Sequence, residues 1–207
     1  MPGLTPEHTL SSLRYGSLQC ECVLARHQLR LVAVTGGPGA GETAVLELAA
    51  RSFCRHVAVL PEAASIVFGG GFPRHSTGPG RRAAQRAIYR VQREVERLIA
   101  EEEEVAIALC DRGTVDGLAY WPDPAETFWK DVDSDLPAEL GRYRAIINLG
   151  TPTVDDGLHR RSDSGRVGLA ALELIRSQLP TCCLSHRLDI EGSSNRGESR
   201  SGGSQPG

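Results

Sequence analysis

The residues best suited to chemistry form a glycine-rich segment in the first quarter of the chain. This segment matches the pattern G-x-x-x-x-G-K-[ST] at every defined position except the lysine, where Glu42 stands. Its glycines allow backbone N–H groups to approach phosphate oxygens, and the hydroxyl of Thr43 is suited to Mg²⁺. We therefore expect ATP or GTP and Mg²⁺ as ligands. The predicted contact residues are Gly36, Gly37, Pro38, Gly39, Ala40, Gly41, Glu42 and Thr43.

Glu42 limits what this loop can be expected to do. A lysine at that position neutralises phosphate charge, whereas a carboxylate faces the same oxygens with the opposite sign. Two unit charges about 4 Å apart interact by roughly 4 kcal/mol at an effective dielectric near 20, which is more than one hydrogen bond returns. Lys130 is the only lysine in the sequence, and nothing in the sequence brings it to the loop. We expect weakened catalysis.

Further candidates lie just after the ends of apolar runs. Glu62 comes after the run 57–60, and Asp111 comes after the run 105–110. Since parallel sheets bind ligands at the carboxyl ends of their strands, we predict Glu62 as the base for an acceptor hydroxyl and Asp111 as an Mg²⁺ ligand. The two roles could be exchanged. Arg112 is predicted to stabilise phosphate charge. Four further arginines have two possible roles: they contact phosphates from a flap and a lid over the site, or they only keep the surface soluble. They are Arg81, Arg82, Arg160 and Arg161.

The elements that must position these residues alternate along the chain. Short β-branched apolar runs predict strands, and apolar residues at spacings of three or four predict helices. This alternation predicts an α/β, three-layer fold with a mainly parallel, doubly wound sheet. Strands are predicted at 31–34, 57–60, 105–110 and 144–149, helices at 43–51 and 81–104, and a mobile loop at 69–80. On the long helix, the predicted core face is Ala84, Ala87, Ile88, Val91, Val95 and Leu98.

Several phrases of the sequence together resemble a known family. They are the glycine loop with its strand, Leu60-Pro61-Glu62-Ala63-Ala64, Cys110-Asp111-Arg112-Gly113, Asp116-Gly117-Leu118-Ala119-Tyr120-Trp121, and Asn148-Leu149-Gly150-Thr151-Pro152. The chain is similar over residues 30–155 to the P-loop domains shared by the nicotinamide-riboside kinase part of NadR-type proteins and the TRPL-translocation-defect proteins. The resemblance implies a kinase-like P-loop NTPase, an AAA-type domain with a degenerate Walker A motif.

The regions outside this core carry weaker signals. We predict an N-terminal extension at 1–29, a P-loop domain at 30–190 and a disordered Gly/Ser-rich tail at 191–207. A helix at 167–177 and a last strand at 182–190 are expected within a divergent or incomplete C-terminal part. The alternative is that the chain after about residue 153 is translated out of frame, because the sequence similarity to the family stops there.

Composition narrows the classes of partner. The net charge of −3 gives no basic field that would gather nucleic acid, and no apolar run is long enough to span a bilayer. A cytoplasmic location follows as an expectation. The six cysteines favour buried thiols; the pair Cys20 and Cys22 falls short of a four-ligand metal site.

Two functions from different classes remain open on the sequence. The first is an ATP- or GTP-dependent kinase or NTPase with a small nucleoside-like acceptor. The second is a non-catalytic regulatory or scaffold protein that keeps the P-loop fold, which Glu42 favours. Phosphoinositide binding is a third idea drawn from the resemblance, and no basic amphipathic helix supports it.

Overall fold

The fold is seen in a computed structural model that describes residues 13–24, 26–37, 39–150 and 160–183. The side chains of 160–167 and 182 fall outside this description. Among the described residues, no helix is long and apolar enough to cross a membrane.

A five-stranded sheet forms the centre of the domain. Its order is β1-β3-β4-β2-β5, and every neighbouring pair is parallel except β1 with β3. This confirms the predicted α/β fold with a mainly parallel sheet. The strands are β1 Arg14–Tyr15, β2 Arg30–Gly36, β3 Val57–Leu60, β4 Ile107–Asp111 and β5 Tyr143–Leu149.

Helices cover both faces of the sheet, so the domain has three layers. The helices are α1 Glu42–Ser52, α2 Ala63–Gly69, α3 Gly78–Glu102, α4 Ala125–Val132, α5 Leu136–Gly141 and α6 Arg160–Ser177, with 3-10 helices at Thr114–Tyr120 and Thr181–Cys183. On one face, Leu46 of α1 and Leu172 of α6 pack against Val32 and Leu109. On the other, Ile99 of α3 packs against Ala33 and Ala108.

The long helix α3 differs from its prediction at its start and on its buried face. It begins three residues before the predicted 81, because Thr77 caps it and accepts a hydrogen bond from the N–H of Gly80 at 3.3 Å. Leu98, predicted to face the core, is 51% exposed. The buried stripe includes polar side chains, and Tyr89, Gln92 and Glu96 among them are tolerated because they form buried hydrogen bonds. That stripe is Ala84, Gln85, Tyr89, Gln92, Glu96 and Ile99.

Both ends of the described chain pack onto this core. In the N-terminal segment, β1 pairs with β3 and Leu18 forms a bridge with Cys54, so part of the predicted extension belongs to the sheet edge. The predicted strand at 182–190 is wrong for its first two residues. There the N–H of Cys183 donates to the carbonyl of Pro180 at 2.9 Å and closes a turn. The rest of that strand and the tail at 191–207 lie outside the described residues.

Candidate functional site

The predicted site residues meet at the carboxyl edge of the parallel strands. β2 ends at Gly36 and leads into the glycine loop, Glu62 lies between β3 and α2 as the residue before the helix, and Asp111 is the last residue of β4. β4 lies between β2 and β3 in the sheet. The order of the strands therefore brings together residues that are far apart in the sequence.

The glycine loop has the backbone that its sequence requires. Gly39 and Gly41 have φ angles of 78° and 97°, which residues with a Cβ rarely adopt. A Cβ on Gly36 would lie 2.6 Å from the carbonyl oxygen of Leu149, so the loop packs tightly on the end of β5. Thr43 is exposed in the first turn of α1. Pro38, which the sequence also assigns to the loop, lies outside the described residues.

Glu42 is buried and paired. It is only 7% exposed, and its Oε1 lies 3.1 Å from a terminal nitrogen of Arg112, which donates a hydrogen bond to it. The charge of the misplaced carboxylate is therefore compensated from inside the protein. The sequence contains both residues of this pair, but they are 70 positions apart and no local pattern joins them.

Arg112 is held by several acceptors at once. Its side chain lies 3.4 Å from Glu62 and 3.6 Å from Asp116 in addition to Glu42, and it donates to the carbonyl of Gly36 at 2.9 Å. Arg112 itself has a left-handed φ of 72°. Its guanidinium is thus engaged by groups of the protein at the place where the sequence predicted a phosphate contact.

Asp116 joins the glycine loop to the turn that follows β4, a role that sequence reasoning missed. It accepts a hydrogen bond from the hydroxyl of Thr35, and it accepts another from the N–H of Gly113 at 2.8 Å. Thr35 directly precedes Gly36, so this carboxylate fixes the entrance of the loop. The one feature of the sequence that points to Asp116 is its position in the segment 116–121, which resembles the family.

The site is strongly acidic. Four carboxylates, those of Glu42, Glu62, Asp111 and Asp116, lie near Arg112, which pairs with all of them except Asp111. Burial and the neighbouring charges of Glu62 and Glu42 raise the pKa of Asp111 to about 6, although Arg112 and Arg14 oppose the shift. A divalent cation would relieve this repulsion, since oxygen ligands suit a hard cation.

A cleft of about 540 Å³ opens beside the carboxylates. Its lining includes Glu62 and Asp111 together with the exposed residues Arg81, His75 and Tyr120. Arg81 donates to the carbonyl of Tyr120 at 2.8 Å. The other predicted flap residue, Arg82, pairs with Asp123 at 2.8 Å. The side chains of the predicted lid residues Arg160 and Arg161 lie outside the described part of the chain.

A buried polar network supports the segment after Asp111. Glu139 is 1% exposed and accepts hydrogen bonds from Thr114 at 2.7 Å, from Tyr89 at 2.7 Å and from Arg142 at 3.0 Å. Burial alone would raise the pKa of Glu139, but these bonds and one from Ser134 outweigh it and lower the pKa to about 2. No pattern in the sequence indicates this network.

The comparison with known proteins agrees with this geometry. Residues 31–177 match the model of a family described as an AAA domain, whereas no curated protein matches the chain. The matched range starts in β2, includes the glycine loop and the carboxylates around Arg112, and ends with the last residue of α6. The match covers more than half of the chain and shows that it belongs to this family of AAA domains and contains a P-loop nucleotide-binding domain.

Proposed function

We propose that the domain binds ATP or GTP with Mg²⁺ at the glycine loop and that Glu42 weakens phosphoryl transfer. The observation that carries this proposal is the buried ion pair between Glu42 and Arg112, at 3.1 Å. In this pair, the carboxylate at the phosphate-binding position already occupies the guanidinium of Arg112. A nucleotide must compete with that contact before its phosphates can reach Arg112.

The loss of nucleotide affinity that the Glu42–Arg112 pair causes can be estimated from its electrostatics. A charge-assisted hydrogen bond contributes about 1.5–3 kcal/mol, so drawing Arg112 away from Glu42 removes a stabilisation of that order. The carboxylate left behind would repel the phosphates, and the other acidic groups would add to this repulsion. Backbone N–H groups at the start of α1 still favour an anion. We therefore expect binding that survives but is weak.

The donor groups fit Mg²⁺. Thr43 supplies a hydroxyl at the start of α1, and Asp111 supplies a carboxylate whose pKa is raised, first by burial and then by the negative charge of Glu62. We assign both as Mg²⁺ partners, the metal offsetting phosphate charge, with Glu62 as the base for an acceptor. The adjacent cleft suits a small nucleoside-like molecule, which agrees with a relation to NadR-type kinases and TRPL-translocation-defect proteins.

A non-catalytic regulatory or scaffold protein is the second candidate. The observation in its favour is that Arg112 is paired with three carboxylates at once, so the site is internally satisfied without a ligand. A domain of this kind would keep the P-loop fold and use its surface rather than its cleft.

Thermal unfolding with and without ligand separates the two candidates. At about 5 mM Mg²⁺–nucleotide and a Kd near 100 μM, bound ligand stabilises a protein by about 2 kcal/mol. We expect ATP or GTP in the presence of Mg²⁺ to raise the Tm by more than Mg²⁺ alone does. If neither nucleotide raises the Tm at this concentration, the scaffold candidate replaces nucleotide binding.

Gly41→Ala is expected to abolish the nucleotide-dependent rise in Tm. An added Cβ at a φ of 97° is strained, and relaxing this strain reshapes the loop. Gly71→Ala is the matched control, because Gly71 has a similar φ of 91° and lies outside the loop. Each variant should lose about 1–2 kcal/mol of stability from the strain. An equal nucleotide response in both variants would remove the loop from the site.

Asp111→Asn is expected to lower any Mg²⁺-dependent turnover at least tenfold while the protein remains folded. The amide keeps the shape of the carboxyl but loses its charge for the metal, and the change also removes repulsion with Glu62. Steady-state nucleotide hydrolysis measures the first effect, and denaturant unfolding checks that stability does not fall. Unchanged turnover would leave Asp111 with a structural role only.

A further inference from the structure

A cluster of sulfur and nitrogen ligands lies at the opposite end of the sheet from the glycine loop. Cys54 and His56 occupy the turn between α1 and β3, and both are buried, at 2% and 4% exposure. Since β3 runs from this turn towards Glu62, the turn marks the amino-terminal edge of the strands. The cluster is therefore independent of the nucleotide site.

Two other segments of the chain complete the cluster. Cys20 belongs to the N-terminal segment, which is joined to this turn by the bridge between Leu18 and Cys54. Cys183 ends the 3-10 turn that follows α6, and it is buried. The three sulfurs and His56 thus come from three segments that are widely separated in the sequence.

The distances within the cluster suit one metal ion. Nδ1 of His56 lies 3.1 Å from the sulfur of Cys20, 3.7 Å from that of Cys54 and 3.6 Å from that of Cys183. All four ligand atoms lie within 4.8 Å of one another. A tetrahedral zinc ion with Zn–S near 2.3 Å and Zn–N near 2.0 Å places its S and N ligands about 3.6 Å apart and its sulfurs about 3.8 Å apart.

We propose that Cys20, Cys54, His56 and Cys183 form a structural Zn²⁺ site. Three thiolates and one imidazole make a closed, four-coordinate set that leaves no position for a substrate, which is the mark of a structural rather than a catalytic zinc. The ion would join the N-terminal segment and the turn after α6 to the edge of the sheet. Metal binding at such a site contributes directly to folding.

A second group of side chains lies beside the proposed site. The ring of His27 lies 4.5 Å from that of His56. Cys22 and His27 form a neighbouring group with the same His56, but that group has three members and a single sulfur. The set with three sulfurs is the better match to zinc.

Metal analysis of the full chain tests the proposal without any substitution. We expect one zinc per chain by mass spectrometry of the metal, and a thiolate-to-Co²⁺ charge-transfer band when Co²⁺ replaces zinc. A zinc-selective chelator should lower the Tm of the wild-type protein. A folded protein with no zinc and no charge-transfer band overturns the proposal, and so does a disulfide between two of these cysteines in the purified chain.

Cys20→Ser against Cys110→Ser provides the matched comparison. Cys20 is the half-buried ligand, whereas Cys110 is a fully buried thiol in β4, on the other face of the sheet. We expect Cys20→Ser to weaken zinc binding at least tenfold and to remove about one third of the charge-transfer absorption, since one thiolate of the three is lost. Cys110→Ser should change neither. A Co²⁺ spectrum that Cys20→Ser leaves unchanged would overturn the assignment.

Discussion

Replacing Glu42 with lysine is expected to tighten the binding of Mg²⁺–nucleotide about thirtyfold, a gain of about 2 kcal/mol. The change removes a buried carboxylate from the phosphate position and places an ammonium where it can reach the β- and γ-phosphates. It also releases Arg112 from one of its three carboxylates. The glycines and the threonine of the loop are already in place. Isothermal titration of wild type and variant with Mg²⁺–ATP and Mg²⁺–GTP measures the gain.

Two control variants test whether the gain in affinity comes from removing the carboxylate at position 42, from adding a cation there, or only from the change in net charge. Glu42→Gln removes the repulsion without adding a cation, so its affinity should lie between those of wild type and Glu42→Lys. Glu126→Lys makes the same change in net charge at an exposed position on α4 and should leave the affinity unchanged. Equal affinities of folded wild type and Glu42→Lys would show that the loop is not a phosphate site. Turnover need not return with binding, since it also requires a positioned acceptor.

Glu139→Gln is expected to lower the free energy of unfolding by about 3 kcal/mol. Glu139 is the shared acceptor for Arg93, Arg142, Tyr89 and Thr114, and an amide cannot balance the two guanidinium groups. Chemical denaturation at neutral pH measures the loss. Glu101→Gln is the control, because its pair with Arg97 is 65% exposed on both sides and should contribute less than about 1 kcal/mol. A loss no larger than that of the control would contradict the role assigned to the network.

The lowered pKa of Glu139 also makes the stability of the protein depend on pH. The pKa of Glu139 is lowered from 4.5 to about 2 in the folded protein, so the folded state holds its proton less tightly than the unfolded state. Its contribution is therefore complete above about pH 4.5 and is lost as the pH falls towards 2. Wild type should lose more stability than Glu139→Gln across this range. Denaturant unfolding at several pH values compares the two.

The sequence predicts the parallel core of the fold well because its strands are short, continuous apolar runs bounded by glycine, proline or acid. The run 57–60 coincides with β3, and 144–149 differs from β5 by one residue. The buried face of α3 was not predictable in this way. Glu96 is accommodated in the interior because Arg142 and Tyr143, almost 50 residues away, donate to it, and Gln92 donates to Glu96 in turn. The spacing of apolar residues along a helix cannot predict such buried polar pairs.

For the site, the sequence predicts where residues gather but not how their charges pair. Glu62, Asp111 and Arg112 were expected at one edge because each lies at the end of a strand, and the structure brings them there. The pairing of Arg112 with Glu42 depends on the left-handed turn after β4, which turns the guanidinium towards the loop. The Cys and His cluster was missed because its ligands lack the close spacing of a zinc motif.

Calorimetric titration of the wild-type chain with Mg²⁺–ATP and Mg²⁺–GTP tests most directly whether Glu42 weakens the loop. We expect a Kd weaker than about 10 μM for both nucleotides, that is, a binding free energy less favourable than roughly −7 kcal/mol. The reason is that the phosphates must displace a buried carboxylate from Arg112 in a site with a surplus of negative charge. Binding of either nucleotide tighter than about 10 μM would contradict this account.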